Sequence, residues 1–188
     1  MKDKLNLAYI IGVALGDGNL SNPNGRAVRL RVTCDAQYTK INNHIISSIQ
    51  KLLPQNKVSV ANRGKNCIEI SCYSNQWPKL LGWKVGSKFS QKVKVPTWIK
   101  KDDRYIKKCL RGLFETDGCI YNDRGYVMTN FVTNIPTLAK DVGSMISRLG
   151  FKFSLHKWTQ DNLKIKHTFR IAKNAGKFNT SIGLQKIK

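Results

Sequence analysis

Apolar positions along the chain follow two rhythms, one helical and one alternating, and they come in the same order in both halves of the sequence. A first helix, capped by Asp3 or Asn6, runs to Gly16, and Ser21-Asn22-Pro23-Asn24-Gly25 is a turn. Residues 26–33 then alternate as a strand that buries Val28, Leu30 and Val32 and presents Arg29, Arg31 and Thr33. Ile41, Ile45, Ile46, Ile49, Leu52 and Leu53 space a helix over 38–53 that stops at Pro54. A hairpin over 57–61 and 66–73 turns at Asn62-Arg63-Gly64-Lys65, a short helix over 74–81 ends at Gly82, and 86–94 reads as a basic loop. In the second half, Asp102 or Asp103 caps a helix over 104–116, and a strand pair turns at Asn122-Asp123-Arg124-Gly125, its second strand covering 126–133. A helix over 136–149 closes at Gly150, strands cover 152–158 and 165–172, and a last helix over 175–182 ends at Gly183.

The reading is one unit used twice, helix-strand-strand-helix-strand-strand-helix, which predicts an α+β protein with half-domains over 1–100 and 101–188 related as a pseudo-dimer. Identities recur at an offset of 100 positions: Asp17 with Asp117, Val32-Thr33 with Val132-Thr133, Ile46-Ser47 with Ile146-Ser147. The duplication is clearest where Ile10-Ile11-Gly12-Val13-Ala14-Leu15-Gly16-Asp17-Gly18 returns as Leu110-Arg111-Gly112-Leu113-Phe114-Glu115-Thr116-Asp117-Gly118. Gly12 with Gly16, and Gly112 with Thr116, put small residues on one helical face and permit close backbone approach. Gly18 and Gly118 suit the left-handed residue that ends a helix. Asp17 and Asp117 then sit at the negative ends of their helices. If those helices pair in parallel, the two carboxylates meet and call for a divalent cation.

Charge sharpens this picture. With 33 Lys+Arg against 11 Asp+Glu, the net charge is +22, an excess that fits a polyanionic partner, nucleic acid first. No apolar run is long enough to span a membrane and residues 1–4 do not begin a signal peptide, so an intracellular, membrane-free protein is expected. The five cysteines form no Cys-x-x-Cys pair and read as structural thiols; His44, His156 and His167 lack ligand spacing. Trp77, Trp83, Trp98 and Trp158 read as packing residues beneath the sheets, and Glu115, two positions before Asp117, points away from the acid. No phosphate-binding Gly-x-x-x-x-Gly-Lys loop is present.

The two motif copies, the approach Lys94-Val95-Pro96-Thr97-Trp98-Ile99 with Tyr105-Ile106, and the closing Phe178-Asn179-Thr180-Ser181-Ile182-Gly183 together resemble the LAGLIDADG homing endonucleases in their two-motif, single-chain form. Leu15 departs from the motif, where an acid is common. The resemblance implies two antiparallel sheets forming a DNA-binding saddle with the motif helices at its centre. It implies a monomer that cuts both strands of a long, asymmetric duplex site and so initiates mobility of its own reading frame. Asp17 and Asp117, with Gly16 and Thr116 beside them, would hold Mg2+ (or Mn2+). A lysine near each acid is implied as well, and Lys88 and Lys188 both lie 71 positions past their acid. For the strands in the major groove, alternation nominates Arg29, Arg31, Thr33, Arg63 and Lys65 in the first half and Arg124, Lys164, Lys166 and Arg170 in the second. Two other roles remain open on the same fold: an intron-RNA maturase and a catalytically silent DNA-binding regulator. An intein is not expected, since the sequence lacks the Cys or Ser start and His-Asn end.

Overall fold

Helix α1 (Lys2–Leu15) is apolar on every side along most of its length, and a helix of that kind can only be stable inside a core. Ala8 to Leu15 are all buried. In the computed structural model, which describes residues 2–159 and 164–186, the helix packs along α5 (Asp103–Asp117). Because α1 is already helical at Lys2, neither Asp3 nor Asn6 caps it; no breaker precedes Asn6, and the helix extends through it. Asp102 does cap α5, accepting a hydrogen bond from the Arg104 N–H.

Around this pair the chain forms β1 (Gly18–Ser21), β2 (Arg29–Asp35), α2 (Thr39–Leu52), β3 (Val58–Asn62), β4 (Cys67–Tyr73) and α3 (Trp77–Leu81). A short α4 (Thr97–Lys100) leads into α5, followed by β5 (Gly118–Asp123), β6 (Tyr126–Thr133), α6 (Pro136–Arg148), β7 (Ser154–Trp158), β8 (Lys166–Ile171) and α7 (Ala175–Ile182). Each half holds a four-stranded antiparallel sheet, ordered β1-β2-β4-β3 and β5-β6-β8-β7. The duplicated α+β architecture is thus as expected. Each sheet buries one face against helices: Leu30, Val32 and Ile70 in the first, Phe131, Phe169 and Ile171 in the second. The second core is aromatic, with Phe114 5.3 Å from Phe131 and 5.1 Å from Phe178 between ring centroids.

Register corrects two expectations. Gly18 pairs with Val32, whereas Gly118 pairs with Phe131, so the equivalent of Val32 is Phe131 and not Val132. The β1–β2 connection is longer than the two-residue turn between Asp123 and Tyr126, and the extra length is absorbed with a slip of one. Such a slip reverses faces: Val32 is fully buried, while Val132 is 37 % exposed. The second helices also shift, because Ile45 and Ile49 of α2 match Val142 and Ile146 of α6 in burial, leaving Ile46 without the partner that the shared Ile-Ser implied.

Gly18 and Gly118 are not left-handed either. Gly118 has φ −86° and ψ 159° and opens a strand directly. What excludes a side chain is space, since a β-carbon on Gly18 would lie 2.7 Å from the Ala14 carbonyl oxygen and one on Gly118 2.8 Å from the Phe114 α-carbon. Gly82 and Gly183, by contrast, do close α3 and α7 in the left-handed region, at φ 89° and 69°.

The α1–α5 contact is the tightest in the molecule. A β-carbon on Gly12 would run into the Cys109 carbonyl, and one on Gly112 into the Tyr9 carbonyl and, at 2.6 Å, the Val13 nitrogen. Gly112→Ala should therefore lower unfolding free energy by about 3 kcal/mol. Gly176→Ala, on α7 with nothing within 4 Å, should raise it by about 0.5–1 kcal/mol. Urea unfolding midpoints of the two variants check both signs.

A candidate metal and nucleic-acid site between the two halves

Because α1 and α5 run side by side in the same direction, Gly16 meets Thr116 and the chain leaves both helices at the same level. Asp17 lies two positions past the last residue of α1, and Asp117 is the last of α5. Their side chains are close enough to hydrogen-bond to each other. Both residues keep solvent access, yet helix ends, lysines and the opposing acid crowd their carboxyl groups. Partial desolvation, followed by the negative charge of Asp17, pushes Asp117 up to about 7. Asp17 is raised too, mainly by desolvation, with Lys88 and Lys186 pulling the other way. Without a cation, protonation of Asp117 is thus favoured as pH falls below about 7.

Two lysines flank the acids. Lys88 donates to the carbonyls of Ala14 (3.1 Å), Leu15 (2.8 Å) and Gly16. Lys186 donates to those of Thr116 and Gly118, at 2.8 Å each. Each ammonium thus sits on the negative end of a motif helix, where free carbonyls gather. Burial lowers both lysine pKa values, while the acids act to raise them. Lys88 is where the sequence put it, but Lys188 falls outside the described residues, and Lys186 occupies the mirror position. The equal 71-residue spacing does not pick out Lys186, because the two lysines lie at different distances from their helix ends: Lys88 is six residues past Gly82 and Lys186 three past Gly183.

Asp17 and Asp117, with the backbone of Gly16 and Thr116, form a set of hard oxygen donors suited to Mg2+, Mn2+ or Ca2+. Among the described residues no group of three or more His, Cys, Asp or Glu side chains could hold a metal. Beside the acids opens a cleft of about 760 Å3 between α2 of the first half and β5 and α7 of the second. Glu115 reaches this region from below, buried, and hydrogen-bonds to Tyr9, Arg111 and the Gln185 N–H instead of joining Asp117.

The sheet faces turned away from the helices carry the nominated cations. Arg29, Arg31 and Thr33 share the outer face of β2, and Arg29, Arg31 and Arg63 converge on Glu69, which pairs with Thr33 across the strands. Strand alternation alone could not show that this acid offsets part of their charge. Lys65 lies at the tip of the β3–β4 hairpin with φ 47°, and Arg124 in the β5–β6 turn with φ 52°. Arg170 bonds Asp123 at 2.6 Å, Lys166 stacks on Trp158 at 4.6 Å, and Lys164 lies over Phe89 of the first half at 4.1 Å. Trp158 is therefore a surface residue on this face, unlike the buried Trp77 and Trp83. Arg31 and Asn130 occupy equivalent rows, opposite Asn19 and Cys119, and each leaves a polar atom, Nε and Oδ1, without a protein partner. Asn130 was not foreseen, because the slip in register hides its equivalence to Arg31.

Asp117 predicts a pH dependence. Its native pKa of about 7 exceeds the ordinary 3.8, so the native state binds more protons between those values and stability falls as pH rises through that window. In chelator, Asp117→Asn should melt above the parent at about pH 8, with the difference gone near pH 4. Millimolar Mg2+ or Mn2+ should raise the parent's melting temperature at the higher pH and leave the variant's unchanged. Thermal melts across pH test both.

Residues 104–183 match the family described as the LAGLIDADG-like domain. No curated protein matches the chain by sequence. Among solved structures, the chain is similar to mesophilic variants of the homing endonuclease I-DmoI, with 17% identity over 97% of each chain and a TM-score of 0.72. It is equally similar to I-DmoI in complex with DNA and Mn, with 18% identity over 99% of each chain and a TM-score of 0.72. Full-length DUF199/WhiA from Thermatoga maritima is also alike, at 14% identity and a TM-score of 0.68 over 98% of this chain and 57% of that one. At such identities the likeness establishes the fold. The second half thus carries a LAGLIDADG-like domain, and the whole chain has the fold of I-DmoI.

Proposed function

We propose that the protein is a divalent-metal-dependent endonuclease that cuts both strands of duplex DNA at a long, asymmetric site. The observation that carries this reading is the meeting of Asp17 and Asp117 at one point between two cationic sheets, with a lysine on either side. I-DmoI, of the same fold, is a homing endonuclease with structures in complex with DNA and Mn or Ca.

The roles follow from charge and position. The sheets lie along the duplex, with Arg29, Arg31, Arg63 and Lys65 engaging one half-site and Arg124, Lys164, Lys166 and Arg170 the other. Arginines can read guanine edges, while lysines mainly position the backbone. Asymmetry of the site follows from the different residues in equivalent rows, such as Arg31 and Asn130. Asp17 and Asp117, with Gly16 and Thr116 beside them, would hold Mg2+ or Mn2+. When bound, such an ion lowers the pKa of water and stabilises the leaving 3′ oxygen during in-line displacement. Two carboxylates are few ligands for such an ion, so phosphate oxygens and water would complete its shell and DNA would tighten its binding. Lys88 and Lys186 neutralise charge on the scissile phosphates from either side. The intact acid pair favours cleavage over a silent DNA-binding role.

Asp17→Asn and Asp117→Asn should each reduce cleavage by about 1,000-fold or more while leaving DNA affinity within about threefold. The substrate is the duplex made by joining the sequences that flank the gene, assayed with Mg2+ by gel shift and cleavage. Equal loss of binding and cleavage in both variants would remove the acids from the metal site.

A further inference from the structure

Glu115 is the buried acid that the reaction does not use. Its carboxylate has three partners on three segments: it accepts from the Tyr9 hydroxyl of α1 at 2.7 Å, from Arg111 Nε one turn back in α5 at 2.8 Å, and from the Gln185 backbone N–H at 3.1 Å. Gln185 directly precedes Lys186, whose ammonium bonds the Thr116 and Gly118 carbonyls. The acid inside the motif helix thus holds the base of the segment that delivers a lysine to that helix's end.

The first half has no such link. Leu15 stands where Glu115 stands in the second copy, and it is a buried apolar residue that can accept no side-chain hydrogen bond. The loop that carries Lys88 is clasped instead by Gln91, which accepts from the Lys84 N–H at 2.9 Å and donates to the Lys84 carbonyl at 2.9 Å, and the Gly86 N–H ties it to the Leu20 carbonyl of β1 at 3.4 Å. One lysine is therefore anchored through a side chain of the motif helix and the other through its own loop and β1.

From this asymmetry we propose that Glu115 is a positioning residue for Lys186, and that it supports the cutting of one DNA strand while the other depends on the Gln91-clasped loop of Lys88. The proposal rests on the endonuclease reading above for its strand selectivity; the tether itself is tested without DNA. A carboxylate in this place fixes a main-chain N–H, so losing it frees Lys186 to leave the Thr116 carbonyl, and misplacement on the order of 1 Å can cost about a hundredfold in rate.

The experiment uses the full chain and four variants. Glu115→Ala removes the tether, Glu115→Gln keeps an oxygen acceptor, Gln185→Pro removes the N–H and leaves the Glu115–Tyr9–Arg111 contacts, and Lys186→Met removes the lysine. Amine modification by reductive methylation, read by mass spectrometry, should show Lys186 labelled several-fold faster in Glu115→Ala and Gln185→Pro, with Lys88 unchanged and Glu115→Gln close to the parent. On a duplex labelled at either strand, Glu115→Ala, Gln185→Pro and Lys186→Met should slow the same strand by about ten- to a hundredfold relative to the other and accumulate nicked product. Glu115→Gln should restore balanced cutting. Unchanged Lys186 labelling in Gln185→Pro overturns the tether. Equal slowing of both strands, or bias towards opposite strands in Glu115→Ala and Lys186→Met, overturns the strand assignment. Should the parent cut no duplex, the endonuclease reading fails while the labelling still decides the tether.

Discussion

Everything in this molecule depends on how closely two helices approach. Two α-helices normally pack with their axes 8–10 Å apart, kept there by side chains. At Gly12 and Gly112 there is none, and backbone lies against backbone, Gly12 on Cys109 and Gly112 on Tyr9 and Val13. That approach fixes the distance between Asp17 and Asp117, since neither acid has freedom to move away along its helix. It also explains why the glycines after the acids are needed: the strands that leave Gly18 and Gly118 start so close to the preceding helical turns that a β-carbon would strike them. Moving the helices apart by the width of a methyl group would separate the acids, tilt both sheets and open the interface together.

How far the sequence could foretell this differs between features that are local and those that depend on loop length. The motif helices, a cap at Asp102 or Asp103 and the helix ends at Gly82 and Gly183 are set by residues within one helical turn, and the structure has them, with Asp102 as the cap. Identity at a fixed offset was a poorer guide. Val32-Thr33 and Val132-Thr133 share letters yet face opposite ways, because a connection of different length shifted the pairing by one residue. The same reasoning accounts for the lysines. Their reach is set by distance from the helix end in space, so Lys186, three residues past Gly183, arrives at the place that Lys88 reaches from six past Gly82. Glu69 escaped notice for a different reason: the arginines it gathers come from β2 and from the β3–β4 hairpin, and only the cross-strand register brings them together.

The halves have diverged most in what surrounds the acids. In the second half a charged residue fills the sixth motif position, and burying it is tolerable because Tyr9, Arg111 and the Gln185 N–H satisfy it. In the first half that position is Leu15, which needs no partners and asks nothing of the adjacent loop. His44 belongs to the same interface: its ring lies 4.5 Å from that of Tyr9, and burial beside Arg111 pushes it down to about 4, so it packs there as a neutral ring. Around the motif helices the polar contacts thus lie on the Glu115 side, while a second set joins the halves at α6, where Asp141 accepts from the Val95 N–H and Lys100 and Thr137 donates to the Val93 carbonyl.

The net charge of +22 gives the acid pair its meaning. Two carboxylates forced together would ordinarily be relieved by separation, by protonation or by cations. The first is prevented by the glycine contacts, and the second is used in part, as the raised Asp117 shows. Lys88 and Lys186 supply the third, but they bond main-chain carbonyls at the helix ends and leave the carboxyl oxygens without a full countercharge. A protein otherwise rich in cations has thus kept two anions at its centre and withheld its own lysines from pairing with them directly. Such an arrangement is costly in the free protein and favourable once a divalent ion and a phosphate arrive together, the ion satisfying the acids and the phosphate satisfying the lysines. On the proposed function, the repulsion that burdens the acid pair is the one that would make the site select a metal and a polyanion at once.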